Sequence, residues 1–111
     1  MTIPKTKIKT KTIEKSLIGK KVIVRADKAG VFYGTLSRKE GSEVQLTDCR
    51  KLYYWSGANA IEQIAEEGVK NPIDCQFTMI NKEATINLYL QIIPCTKKAI
   101  INIESVKIWK K

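Results

Sequence analysis

The strongest constraint on the fold is a run of three strand-like segments within residues 21–55, each separated from the next by a short turn. The segments read KVIVRA, GVFYGTLSR and EVQLTDCRKLYYW, and they are rich in β-branched and aromatic residues, which favour strands. In the first segment, Val22, Val24 and Ala26 are expected to share one face. Gly34, inside the second segment, predicts a bulge or a strong bend. Three such strands in succession predict an antiparallel sheet.

Two further segments predict helices. Apolar residues recur at spacings of three and four between Ser56 and Gly68, which predicts a helix capped at its start by Ser56 and ended by Gly68. KKAIINIES, residues 97–105, predicts a second helix with Thr96 as its N-cap. The last residues, VKIWKK, are expected to form an edge strand.

ATINLYLQII, residues 84–93, is the most strand-like segment of the chain. Its alternation predicts a single strand with Ile86, Leu88, Leu90 and Ile92 on one face. The predicted fold class is therefore α+β: a small antiparallel β-sheet or partly open barrel with two short helices. The succession of strands with a bending glycine is similar to the pattern of SH3-like and Sm-like small barrels.

The chain divides into a basic arm and one domain. Residues 1–19 form the arm, in which Lys5, Lys7, Lys9 and Lys11 alternate with threonine and isoleucine. Such an arm is either a solvated tail or an extended segment that contacts a nucleic acid or a partner subunit. Residues 20–111 have the length of a single α+β domain. No apolar run approaches the roughly 20 residues of a membrane-spanning helix, so we expect a cytoplasmic protein without membrane contact.

The composition favours binding over catalysis. The net charge is +9 at pH 7, which favours anionic partners such as nucleotides or nucleic acid. Histidine, the commonest general base, is absent, and no motif of a hydrolase, a P-loop or a zinc protease occurs. Asp48 could act as an acid or a base, but a role in capping a turn or pairing with a lysine is the simpler reading. We therefore expect no enzyme and no cofactor.

The three cysteines, Cys49, Cys75 and Cys95, are widely spaced and include no CxxC pair. Without histidine a zinc site would need carboxylate ligands, so no metal site is predicted. Buried reduced thiols are the expected state.

The segment CRKLYYWSGA, residues 49–58, contains the first candidate ligand-binding residues: Arg50, Tyr54 and Trp55. Aromatic faces stack on nucleobases and arginines pair with phosphates, and SGA is expected to open a helix whose free N–H groups bind phosphate. The alternative is that one face of this segment is core and the other a subunit interface. Arg25, one of only three arginines, is a further candidate for phosphate contacts.

Three residues later in the chain complete the candidate set. Phe77 is a core residue by default, and Asn87 is an amide within a strong strand that could read an adenine edge. Trp109 is either a core residue or an intersubunit contact.

VIVRADKAGVFYGTL, GSEVQLTDCRKLYYWSGA and QIIPCTKKAIINIESVKIW together resemble a family of small phage and prophage proteins of uncharacterised function. The order of elements is similar to that of the phage anti-Thoeris sponge proteins. That resemblance implies an α+β protein that forms homodimers or higher homo-oligomers and sequesters a cyclic ADP-ribose signal without cleaving it; some members also hold cyclic oligonucleotides.

The same resemblance assigns roles to residues. Phe77 would stack on the adenine, Asn87 would read it, and Arg25 and Arg50 would contact the phosphates. The expected C-terminal arginine is absent, so Lys107, Lys110 or Trp109 would replace it.

Two other functions remain open from the sequence. One is a small basic nucleic-acid-binding protein with an SH3/Sm-like barrel, which would use the charge and the arm. The other is an inhibitor that binds a host protein directly, with Tyr53, Tyr54 and Trp55 as the central contacts.

Overall fold

Six strands form one antiparallel sheet in the computed structural model, which describes residues 17–110. The strands are β1 (Lys21–Ala26), β2 (Gly30–Glu40), β3 (Glu43–Tyr54), β4 (Gln76–Phe77), β5 (Asn81–Asn87) and β6 (Tyr89–Pro94). The helices are α1 (Ile61–Glu67) and α2 (Lys97–Ser105), and a 3-10 turn covers Pro72–Asp74. The sheet is not closed into a barrel, and the predicted α+β class is confirmed. The predicted basic arm lies almost wholly outside the described residues.

The sheet order is β4-β3-β2-β1-β6, and β5 pairs with the same strand, β3, as β4 does. β4 lies beside one end of β3 and β5 beside the other, because Tyr54 pairs with Gln76 whereas Glu43 pairs with Asn87. The register of β2 with β3 shifts next to Gly34, as the bend predicted at this glycine requires.

Leu88 divides the predicted strand 84–93 into two strands that lie on opposite edges of the sheet. Its φ of +57° turns the chain, so that β5 pairs with β3 and β6 pairs with β1. The N–H of Asp27 donates to the Leu88 carbonyl at 3.0 Å and holds this turn in place. The prediction of one strand with a shared apolar face is therefore wrong: Leu88 is 56% exposed and Leu90 is 62% exposed.

Both faces of β1 are buried, which separates the core into two clusters. Val22, Val24 and Ala26 belong to one cluster, on the face that the alternation predicted. Ile23 belongs to the other, which packs against the helices. This helix-side cluster also contains Tyr33, Leu52, Ile61, Ile64, Ala65, Val69, Cys75, Phe77, Ala99, Ile103 and Val106.

The two helices differ in how well the sequence predicted their bounds. α2 has the predicted bounds, and the Thr96 hydroxyl accepts a hydrogen bond from the Ala99 N–H at 3.1 Å. α1 ends at Gly68 as predicted but begins at Ile61, five residues after Ser56. Ser56 instead holds a loop, because its hydroxyl accepts a hydrogen bond from the Asn71 side chain. The phosphate-binding helix start expected at residues 56–58 is therefore not present.

Candidate functional site

The Arg50 guanidinium is buried and bonded on every side. The residue is 3% exposed, and all five of its N–H groups have backbone carbonyl partners within 3.5 Å. The acceptors are Thr78 (3.2 Å from Nε), Ile103 (3.3 Å from Nη1), Val106 (3.0 Å from Nη1), Phe77 (3.2 Å from Nη2) and Lys107 (3.4 Å from Nη2). Arg50 thus ties β3 to the segment after β4 and to the end of α2.

Three of these carbonyls belong to Ile103, Val106 and Lys107, at or just after the C-terminus of α2. The C-terminus of a helix carries the negative end of its dipole, so a cation is favourable there, although the Ile103 carbonyl also accepts the Val106 N–H at 3.2 Å. Burial lowers the pKa of Arg50, while the nearby Tyr33 and Glu104 oppose that effect. Arg50 thereby acts as the C-terminal cap of α2.

These contacts do not fit the ligand roles expected for Arg50 and Phe77. No N–H of Arg50 is left for a phosphate, and the Phe77 ring is 0% exposed, so a nucleobase cannot stack on it. The two residues do lie together, with the guanidinium carbon 5.4 Å from the ring centroid. The two side chains therefore pack against each other within the core.

The other expected ligand residues do not form one group. Arg25 is exposed on β1 and lies opposite Gln91 of β6, whereas Asn87 is exposed at the end of β5 beside Glu43. Tyr54 is exposed at the far end of β3 from Asn87. Trp55 is half-buried against the helix-side cluster. In this structure, Asn87 and Tyr54 therefore cannot contact the same small ligand within one chain.

Trp109 lines a surface pocket of about 350 Å³, named here the C-terminal pocket. Its walls are Pro72, Ile73, Cys75, Ser105, Val106, Lys107, Ile108 and Trp109. The backbone N–H of Trp109 donates to the Phe77 carbonyl at 2.9 Å. The indole stacks on the Tyr53 ring, with 5.4 Å between the ring centroids and an interplanar angle of 6°. The indole is thus held in place while it remains 37% exposed. Of the seven predicted ligand residues, Trp109 alone lines this pocket.

A second pocket, of about 330 Å³, is named here the Asp48 pocket. It is lined by Lys21, Tyr33, Asp48, Arg50, Ile80 and Glu104. The Tyr33 hydroxyl donates to Glu104 Oε2 at 2.7 Å, and Lys21 Nζ lies 3.2 Å from the same oxygen. Burial, followed by the bond to Glu104, raises the pKa of Tyr33, and the same bond lowers the pKa of Glu104.

Sequence analysis missed Tyr33, Lys21 and Glu104 as members of a pocket. Tyr33 and Glu104 are separated by 71 residues, so no local pattern relates them. The one available signal was Asp48, an acidic residue within a strand.

Cys49 and Cys75 are buried, Cys95 is half-buried, and all three thiols are free. Burial raises the pKa of Cys49 to about 11 and that of Cys95 to about 12, so both are neutral at physiological pH. Within residues 17–110, no cluster of three or more cysteine and acidic side chains could hold a metal ion. No helix among these residues is both long enough and apolar enough to cross a membrane.

Residues 19–103 match the model of a family described as a domain of unknown function, DUF6948. The chain belongs to this family. The family's range begins just before β1 and ends within α2, so it includes Arg50 and Phe77 but stops before Lys107 and Trp109. No curated protein and no solved structure gives a significant match.

Proposed function

We propose that the chain is a sponge: it binds an anionic, nucleotide-type signal in the C-terminal pocket and holds it without cleaving it. The observation that carries this proposal is the position of Trp109, an anchored and partly exposed indole, on the wall of a pocket that also includes Lys107. The resemblance to the anti-Thoeris sponge proteins supports a cyclic ADP-ribose isomer or a cyclic oligonucleotide as the signal.

The walls of the pocket suit the two parts of a nucleotide. Trp109 offers a flat surface for a base, and stacking of this kind contributes about 1–3 kcal/mol per base. Pro72, Ile73 and Ile108 add apolar contacts. Lys107 has no ion pair within residues 17–110 and can bind a phosphate as a point charge. The volume is at the lower end of that of small-molecule sites, so one chain would hold one base with its phosphate, and the rest of a cyclic signal would extend beyond this pocket.

The polar groups of the pocket favour holding the ligand over cleaving it. The Ser105 hydroxyl donates to the Asn102 carbonyl at 2.6 Å, with no base beside it to activate it. Burial raises the pKa of the Cys75 thiol, which keeps it protonated and poorly nucleophilic. Among residues 17–110, no carboxylate lines the pocket. A bound nucleotide would therefore be released unchanged.

Self-association would complete this site. Ile73, on the pocket wall, is 92% exposed, and the neighbouring Ile108 is also exposed. A second copy packed over these side chains would remove them from water and enclose the ligand. We thus propose a homodimer or higher homo-oligomer that acts in the cytoplasm of the infected cell.

Calorimetric titration of the purified protein tests the proposal. The titrants are cyclic ADP-ribose isomers, cyclic di- and trinucleotides and a short duplex DNA. Tight binding of one small nucleotide, recovered unchanged after heat release, supports the sponge. The absence of binding to every small ligand overturns it. DNA binding would favour the nucleic-acid alternative if the logarithm of its affinity falls with the logarithm of the salt concentration by about 0.9 per phosphate contacted.

Two variants locate the binding site. Trp109→Ala and Lys107→Ala should each weaken capture at least about tenfold, because they remove the stacking surface and the phosphate contact. Leu90→Ala and Lys98→Ala are the matched controls, since both residues are exposed and lie outside the pocket. Unchanged binding in Trp109→Ala would move the site elsewhere on the protein.

A further inference from the structure

The Asp48 pocket differs in chemistry from the C-terminal pocket. Its walls carry two carboxylates, one ammonium group, a tyrosine and one aliphatic side chain. They also include the Arg50 guanidinium, whose N–H groups are all bonded to backbone carbonyls. Asp48 and Glu104 offset the charges of Lys21 and Arg50, so this pocket lacks the net positive charge that Lys107 gives the C-terminal pocket for binding phosphate. The two pockets therefore offer a ligand different chemical groups.

The hydrogen-bond inventory of this pocket shows what a ligand could use. Glu104 Oε2 accepts from both Tyr33 and Lys21, and every N–H of Arg50 is bonded to a carbonyl. Asp48 has no side-chain partner within residues 17–110, and Glu104 keeps its second oxygen. Lys21 keeps the N–H groups that do not face Glu104. The pocket thus offers several free acceptors beside a few free donors.

A β-bulge places Asp48 at this position. The pairing of β3 with β2 shifts register between Thr47 and Arg50, and Asp48 has a φ of +50°. Gly34 makes the bulge possible, because a Cβ there would lie 3.0 Å from the Thr47 carbonyl oxygen. A non-glycine residue with this φ is uncommon in a strand, and bulges often re-aim a side chain beside a binding site. Asp48, the lining carboxylate without a side-chain partner among residues 17–110, therefore lies on distorted backbone.

We propose that the Asp48 pocket binds the vicinal diol of a neutral sugar, such as a ribose ring. Two adjacent hydroxyls can each donate to carboxylate oxygens of Asp48 and Glu104, while their own oxygens accept from Lys21. The aliphatic side chain of Ile80 and the Tyr33 ring can pack against the C–H groups of the sugar. A simple anion lacks the donors that the carboxylates need, and a simple cation is opposed by Lys21. This site is separate from the proposed nucleotide site, and either can fail without the other.

NMR titration of the full chain with methyl β-D-ribofuranoside tests this site. Amide shifts should cluster at the residues that line the pocket and should saturate at millimolar sugar. The 2-deoxy riboside, which lacks one hydroxyl of the diol, should bind at least about tenfold more weakly. Absence of shifts with the riboside, or equal binding of the 2-deoxy compound, would overturn the proposal.

Variants of Asp48 provide the second readout. Asp48→Asn keeps the side-chain shape but loses the charge, and binding should weaken about 10- to 100-fold. Asp48→Gly tolerates the positive φ, so it keeps the fold while it removes the carboxylate altogether. Asp27→Asn, in the exposed turn after β1, is the matched control. If both Asp48 variants fold and bind the riboside as the control does, Asp48 does not recognise the diol.

Discussion

Arg50 and Phe77 contact each other twice, through a 3.2 Å hydrogen bond from the guanidinium to the Phe77 carbonyl and through the ring itself. The contact is buried on all sides, so the pair fastens β3 to β4 and to the C-terminal segment. The resemblance to the sponge proteins implies nucleotide contacts for both residues, whereas in the structure both are buried in the core. Trp109, which is partly exposed on the wall of the C-terminal pocket, lies next to this pair.

Arg50→Lys should lower the free energy of unfolding by about 2–4 kcal/mol. A lysine has three donors on one atom and cannot reach five separate carbonyls, so buried acceptors would lose their partners. Urea denaturation measures the change. Arg38→Lys is the matched control, because Arg38 makes exposed ion pairs with Glu40 and Glu43 and should cost no more than about 1 kcal/mol. Equal effects of the two changes would contradict the capping role of Arg50.

Asp48→Gly should give a more stable protein than Asp48→Ala, by about 1 kcal/mol. The φ of +50° is strained for alanine but free for glycine. Thermal or urea unfolding of the two variants measures the difference. Thr47, the preceding residue of β3, is the comparison site, and there glycine should be the less stable choice. The reverse order at Asp48 would mean that its backbone is not left-handed.

Tyr33→Phe should destabilise the protein modestly, by about 0.5–1.5 kcal/mol, because it removes the hydroxyl that donates to Glu104. It should also change the pH dependence of stability. The pKa of Glu104 is lowered in the folded protein, so its contribution is present above the ordinary carboxyl pKa and is lost as the pH falls through the lowered value.

Unfolding measured between pH 7 and pH 3 checks both effects of Tyr33→Phe. The variant should lose less stability on acidification than the wild type does, because its Glu104 titrates closer to the ordinary value. Identical pH profiles would show that the Tyr33 hydroxyl does not stabilise the Glu104 carboxylate.

Cys49 and Cys95 should react slowly with a disulfide reagent at pH 8 in the folded protein. Their pKa values of about 11 and about 12 leave little thiolate, and only the thiolate is nucleophilic. Absorbance of the released thiol measures the rate, with the urea-unfolded chain as reference. Rapid labelling of the folded Cys75→Ser variant, which keeps Cys49 and Cys95, would place one of these two thiols in a more open environment than the structure gives it.

The sequence alone determined the elements that depend on near neighbours. Alternation of apolar residues predicts the strands within residues 21–55. A glycine predicts the end of α1 at Gly68, and apolar spacing with the Thr96 cap predicts the whole of α2. All of these signals act over a few residues. The burial of Val22, Val24 and Ala26 on one face follows from the same alternation.

Only the tertiary structure decided which residues distant in sequence meet. The turn at Leu88 could not be recognised from the sequence. It arises because β5 pairs with β3 whereas β6 pairs with β1, and both partner strands lie far away in the sequence. The five carbonyls around Arg50 lie 27 to 57 residues further along the chain, and Tyr33 meets Glu104 across 71 residues. A side chain's type is local, but its partners are set by packing. For that reason, Arg50 became a helix cap and Trp109 became the wall of a pocket.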